Sequence, residues 1–163
     1  MNRHGENNTG NSCSEIVLSQ NEAAEKIHKD LFSFDDACYF IFGERIIDSV
    51  LSAVREDLIK LHLSAGWENI LKVALWTSEK PSAHDVVSLI RKSGAADEEL
   101  SPFKRTDIND IFPWLYYGKR FDILRRICNA AKAKAESKIE KKRLLVYCHL
   151  ISDETGRIVA SSL

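Results

Sequence analysis

The hydrophobic positions follow helical spacing over most of the chain. After a polar, Asn- and Ser-rich stretch at 1–14, which we expect to be a disordered tail, apolar residues at three- and four-residue steps predict a first helix that ends near residue 32. Ser19 and Glu22 mark its start, because they have the spacing of a capping box. Residues 15–18 are apolar, and they form either a short strand or a lead-in to this helix.

The strongest periodic signal follows directly. A second capping box at 33–36 precedes an apolar stripe with helical spacing, which predicts one long helix that ends near Gly66 and that Gly43 would kink or divide. The stripe consists of Ile47, Val50, Leu51, Val54, Leu58 and Leu61.

The rest of the chain predicts four more helices and a β-hairpin. Apolar spacing and capping residues place the helices at 67–76, 82–93, 106–112 and 120–142. The β-rich runs 145–151 and 157–160 flank turn residues that include Gly156. The predicted fold class is therefore mainly α: residues 15–163 form one domain, a bundle of five to six helices with a C-terminal hairpin at 144–162.

Composition narrows the class of protein. The 163 residues include 23 Lys and Arg and 24 Asp and Glu, which gives a net charge of −1. No uncharged apolar run approaches the roughly 20 residues that a membrane helix needs. The first residues also lack the apolar segment of a signal peptide. We therefore expect a cytoplasmic protein that does not bind a membrane.

The cysteines and histidines show no metal-binding spacing. No two cysteines form a Cys-x-x-Cys pair, and no two histidines lie four residues apart. The sequence thus predicts no metal ligands and no cofactor, and we expect the thiols to be reduced and mostly buried. The cysteines are Cys13, Cys38, Cys128 and Cys148.

One polar row on the predicted long helix is a candidate catalytic site. At 100° per residue, Glu44, Asp48, Arg55 and His62 fall on one side of that helix. The interval from Arg55 to His62 resembles the Arg-x4-6-His spacing of the HEPN helical ribonucleases. The resemblance implies a dimer in which Arg55 stabilises charge and His62 shuttles a proton. A solvated row of charges beside the core is the interpretation we favour.

Charge is unevenly distributed along the chain. Residues 119–143 contain ten Lys and Arg and three Asp and Glu, a net of +7, and the aromatic run 112–117 lies just before them. Such residues are typical of binding surfaces for proteins or phosphates. We call the candidate binding surface the aromatic–basic surface, and it comprises Trp114, Tyr116, Tyr117, Arg120, Arg125, Arg126 and Lys134.

These observations favour a non-enzymatic protein-interaction module of the adaptor, immunity or antitoxin-like kind. The chain has no catalytic motif, whereas the aromatic–basic surface and the edge of the hairpin each suit a protein partner or a second copy of the chain. The alternatives are a nucleic-acid-binding protein that uses the basic helix 119–143 and a HEPN-like ribonuclease.

Overall fold

A five-stranded mixed β-sheet lies at the centre of the molecule. The structure is a computed structural model that describes residues 13–103, 107–141 and 143–162, so most of the predicted tail lies outside the described residues. The spatial order of the strands is β2-β1-β3-β4-β5; the first four are parallel and β5 is antiparallel to β4. The strands are β1 Glu15–Ser19, β2 Tyr39–Ile41, β3 Lys60–Ala65, β4 Leu145–Ser152 and β5 Arg157–Ser161.

Helices cover both faces of this sheet. One face carries α1, whose Ala24 carbonyl accepts a hydrogen bond from the Ser64 hydroxyl of β3. The other face carries α3 and α7, with α2 beside them. The helices are α1 Glu22–Phe32, α2 Ile46–Ala53, α3 Trp67–Leu75, α4 Ala83–Lys92, α5 Asp97–Leu100, α6 Ile111–Tyr117 and α7 Phe121–Lys138.

The fold is therefore α/β, and the prediction of a mainly α bundle is wrong. The predicted pair of C-terminal strands is present and turns through Gly156, which has a φ of +66°. However, β4 also pairs with β3 along its other edge, so the pair belongs to the sheet and not to a separate hairpin on a bundle. Residues 15–18 lie in the strand β1, between β2 and β3.

The stretch predicted as one long helix contains β2, α2 and β3. Ile47 and Val50 are buried on α2, whereas Leu61 is buried on β3, so the apparent stripe joined two different elements. Polar and apolar residues alternate along β3, KLHLSA, but the helical spacing from α2 to Leu61 runs into this alternation, and burial covers both faces of the strand, as is usual for a parallel sheet with helices on either side. Gly43, with a φ of +71°, lies in the turn between β2 and α2.

The two faces of the sheet differ in polarity. Side chains alternate along a strand, so register partners share a face. Leu18, Leu63 and Cys148 are partners on the face that carries α3 and α7, and all three are buried. On the α1 face, buried polar side chains recur in the partner positions Ser19, Ser64 and His149 and in His62. Buried polar groups are costly unless they are hydrogen-bonded. The α1 face, with its buried polar side chains, is therefore a candidate for a functional site.

A disulfide joins Cys13 to Cys38, 25 residues along the chain. It connects the segment before β1 to the segment before β2, so the expectation of four reduced thiols is wrong for this pair. Cys128 and Cys148 are free and buried, and burial raises the pKa of the Cys128 thiol to about 12. The spacing of the cysteines gave no signal because the pairing depends on the two strands lying side by side.

The basic helix packs through an apolar side, and some of its charged residues lie on the exposed side. Ile123, Leu124 and Ile127 on α7 are fully buried, whereas Arg125 and Arg126 are exposed. Within the described ranges, no helix is long and apolar enough to cross a membrane.

Candidate functional site

A wide groove lies beside the edge of the sheet. It has a volume of about 720 Å³ and lies on the α3 and α7 face, next to α2. Ile16, Leu18 and Phe40 form an apolar wall, and polar residues of α2, among them Asp48 and Ser52, line the opposite side. We call it the α2 groove. A cavity with an apolar wall and a few polar groups is the usual form of a small-molecule site.

The sheet separates the two candidate catalytic residues, Arg55 and His62. Arg55 lines the α2 groove, together with Glu44 and Asp48, although these residues do not share one helix. The Arg55 guanidinium donates to Asp57 and to the Cys13 carbonyl. His62 lies on the opposite face of the sheet, so the structure does not bring Arg55 and His62 to one site.

His62 instead belongs to a cluster of three buried histidines. His28 comes from α1, His62 from the middle of β3 and His149 from β4, and each is at most 6% exposed. One ring nitrogen from each residue lies within 4.8 Å of those of the other two. We call these three residues the histidine cluster.

The start of α1 sets the position of His28. The Asn21 side chain accepts a hydrogen bond from the Ala24 backbone N–H, so the helix is capped two residues later than the predicted box at Ser19. Ser19 instead ends β1. From this cap, Ala24 and His28 occupy the same side of α1, one turn apart, and both face the sheet.

Hydrogen bonds orient all three rings. His62 Nδ1 lies 3.1 Å from His149 Nε2, and its Nε2 lies 2.6 Å from the Glu15 carboxylate. The other nitrogen of His149 is 2.8 Å from the Ser161 hydroxyl on β5. His28 Nδ1 is 2.8 Å from the Tyr39 hydroxyl. The His62 and His149 rings thus link β1, β3, β4 and β5, and the His28 ring links α1 to β2.

Burial keeps the cluster neutral at physiological pH. Desolvation, with a smaller effect of His62, lowers the pKa of His28 to about 4. Desolvation, with the charges of His28 and His62, lowers the pKa of His149 to about 3. The pKa of His62 is also lowered by desolvation, against the opposing effect of Glu15. Neutral imidazole is the form that binds metal ions.

Aromatic rings enclose the cluster. Phe32 stacks on His28 and Phe34 meets His62 edge-on, with ring centroids 4.4 and 5.2 Å apart. Tyr147 stacks against His62 from β4. These rings exclude water from most of the site, which strengthens electrostatic interactions inside it.

Sequence reasoning missed the cluster because its members come from distant parts of the chain. His62 and His149 are 87 residues apart. The expectation of no metal ligands relied on local spacing, which an arrangement spread over a helix and two parallel strands does not show. The available signals were the alternation of polar and apolar residues around His62, which has the period of a strand, and the position of His149 in the β-rich run 145–151.

The aromatic residues of the aromatic–basic surface each contact different neighbours. Trp114 packs against Phe103, and the Tyr117 hydroxyl donates to Glu154. Tyr116 lies between the rings of Phe112 and Phe121.

The basic members of this surface likewise have different surroundings. Arg120 forms an ion pair with Glu99, 2.8 Å away, and Arg126 donates to the Ser93 carbonyl. Arg125 is exposed on α7, and Lys134 lines a shallow pocket between α4 and α7. The structure therefore places all seven residues on or next to α6 and α7 and gives them different contacts.

Comparison with known proteins links the chain to an enzyme. No protein-family model matches the chain, and no solved structure matches it. It is 28% identical over 144 residues to a cobalt-precorrin-5B C(1)-methyltransferase from Desulfotalea psychrophila. The matched region covers 82% of this chain and 38% of the relative, so the chain spans well under half of that protein.

This similarity changes the functional interpretation. The relative is an enzyme, whereas the prediction of a non-enzymatic interaction module rested on a helical bundle without a catalytic motif. That prediction is wrong on both counts: the chain is similar to part of a methyltransferase and folds around a mainly parallel sheet.

Proposed function

We propose that this chain is a domain of an enzyme that acts on a cobalt-precorrin, and that the α2 groove binds part of that molecule. The observation that carries the proposal is the similarity to the cobalt-precorrin-5B methyltransferase, because it extends over 82% of the chain. Since only 38% of the relative is covered, we assign to this chain the binding of substrate and not the whole methyl transfer.

The chemistry of the groove suits such a molecule. A cobalt-precorrin is a broad macrocycle with carboxylate side chains. The apolar wall of Ile16, Leu18 and Phe40 offers a surface to the ring, and Arg45 and Arg55 lie where carboxylates would reach them. Arg45 is exposed and its contact with Asp48 is loose, at 3.6 Å, so its guanidinium is free to turn towards a ligand.

A titration with a cobalt-bearing tetrapyrrole carboxylate tests this assignment. We expect saturable binding, seen as a change in the visible spectrum of the macrocycle. Ser52 lines the groove on α2 and is exposed, so Ser52→Trp fills the groove without disturbing the core. This variant should weaken binding at least about tenfold, or 1.4 kcal/mol.

The matched control is Ser137→Trp, which places the same side chain on an exposed position of α7, away from the groove. It should bind as the unsubstituted chain does. Absence of saturable binding, or equal binding by both tryptophan variants, would refute the α2 groove as the binding site.

A further inference from the structure

We propose that His28, His62 and His149 bind one divalent transition-metal ion of the zinc class, through three imidazole nitrogens and with one coordination position left open. The site lies on the α1 face of the sheet, whereas the α2 groove lies on the other face, so this inference is independent of the proposed function.

The spacing of the rings fits a metal ion. Two nitrogen ligands at 2.0–2.1 Å from a tetrahedral zinc ion lie about 3.3 Å apart. His62 Nδ1 and His149 Nε2 are 3.1 Å apart, and the nearest His28 nitrogen is within 4.8 Å of both. Binding would require the His28 nitrogen to approach the other two by up to about 1.5 Å, the difference between 4.8 Å and the 3.3 Å of a tetrahedral site.

Each ring also has a partner on its outer side. Histidines that bind metals usually hydrogen-bond through their second nitrogen, which orients the ring and sets its protonation. Here the outer partners are the Tyr39 hydroxyl for His28, the Glu15 carboxylate for His62 and the Ser161 hydroxyl for His149. When an ion binds, the protons lie on these outer nitrogens and the three inner nitrogens offer lone pairs, so the ion replaces the hydrogen bond between His62 Nδ1 and His149 Nε2.

One inner nitrogen is unsatisfied without a ligand. His28 is fully buried, and its Nε2 has no hydrogen-bond partner among the residues that the structure describes. A buried polar atom in this state costs about 1–3 kcal/mol. A metal ion would remove that cost, which makes this atom a second, independent sign of a ligand beside the convergence of the rings.

The donor atoms define the class of ion. Three imidazoles suit zinc, cobalt, nickel or copper, whereas magnesium and calcium require oxygen ligands. Glu15 is held by the outer nitrogen of His62, and Cys148 points to the opposite face from His149. Neither residue therefore joins the inner set, and three nitrogens with an open position remain.

The test is a titration of the full chain, prepared without a histidine tag and stripped with a chelator, with Co(II) and then Zn(II). We expect one Co(II) per chain, the visible absorption of four-coordinate cobalt, displacement by one Zn(II), and a higher melting temperature with either ion. A stripped chain that binds neither ion at micromolar concentration would show that the cluster is only a packed polar core.

Matched variants locate the ion. His28→Gln should weaken Co(II) binding more than about 100-fold, because losing a ligand exceeds the 10- to 100-fold effect of losing an outer partner. His84→Gln is the control, since His84 is exposed on α4. Equal affinity of these two variants would overturn the proposal.

Tyr39→Phe keeps all three ligands and the aromatic packing and removes only the hydroxyl that holds His28. It should weaken binding about 10- to 100-fold with an unchanged circular dichroism spectrum. The Tyr39→Phe variant therefore tests whether His28 binds the ion even if His28→Gln does not fold. Unchanged affinity for Co(II) in Tyr39→Phe would contradict an ion held by His28.

Discussion

Reduction of the disulfide between Cys13 and Cys38 should lower the free energy of unfolding by about 3 kcal/mol. The bond closes a loop with a sequence separation of 25 residues, and such a loop restricts the unfolded chain by about that amount. The double variant Cys13→Ser/Cys38→Ser should show the same loss in urea unfolding, and a reductant should then have no further effect on it.

Counting reactive thiols provides the control. The native chain should react with neither of its free cysteines, because both are buried and burial raises their pKa. After unfolding without a reductant two thiols should react, and after reduction four. Four reactive thiols in the unreduced unfolded chain would mean that the bond is absent.

Acid should destabilise the metal-free protein well above the pH at which carboxylates titrate. His28 and His149 have folded-state pKa values of about 4 and 3, below the ordinary value of 6.5. Below pH 6.5 the unfolded chain therefore binds protons at these two histidines, whereas the folded chain does not. The free energy of unfolding is at its maximum above pH 6.5 and decreases as the pH drops towards 4. The slope approaches about 1.4 kcal/mol per pH unit for each of the two histidines.

Urea unfolding at several pH values between 7.5 and 5, with a chelator present, measures this slope. His149→Gln should reduce it by about one proton even if the variant is less stable overall, because the slope counts protons and not contacts. The third histidine, His62, faces the Glu15 carboxylate, which raises the pKa of His62 and so opposes the lowering by desolvation. A free energy of unfolding that stays constant from pH 7.5 to 5 would contradict the neutral cluster.

Local patterns predicted the helices that have one buried side. The helices α3, α4 and α7 lie where apolar spacing and caps place them, to within four residues at each end. For each of these helices, the apolar positions in its own sequence show which side is buried. The sheet was different, since β3 is buried on both faces and Leu61 on β3 continues the helical spacing of α2. Only the pairing of β3 with β1 and β4, which no local window contains, separates the two elements.

The candidate site was predictable only in part. Arg55 and Asp48 were grouped by a helical wheel and do line one groove, but His62 was grouped with them on the assumption of a single helix. The histidine cluster depends on which strands are neighbours, and the disulfide depends on β1 lying beside β2. Both therefore follow from the topology, which the spacing of residues along the chain does not contain.

The wide separation of the three histidines has a consequence for folding kinetics. Contacts between distant residues form late, because a long loop must close first. His62 meets His149 only after β4 has paired with β3, and Ser161 reaches His149 only after β5 has been added. We therefore expect these contacts to be absent from the folding transition state. Strengthening them should slow unfolding and leave the rate of refolding nearly unchanged.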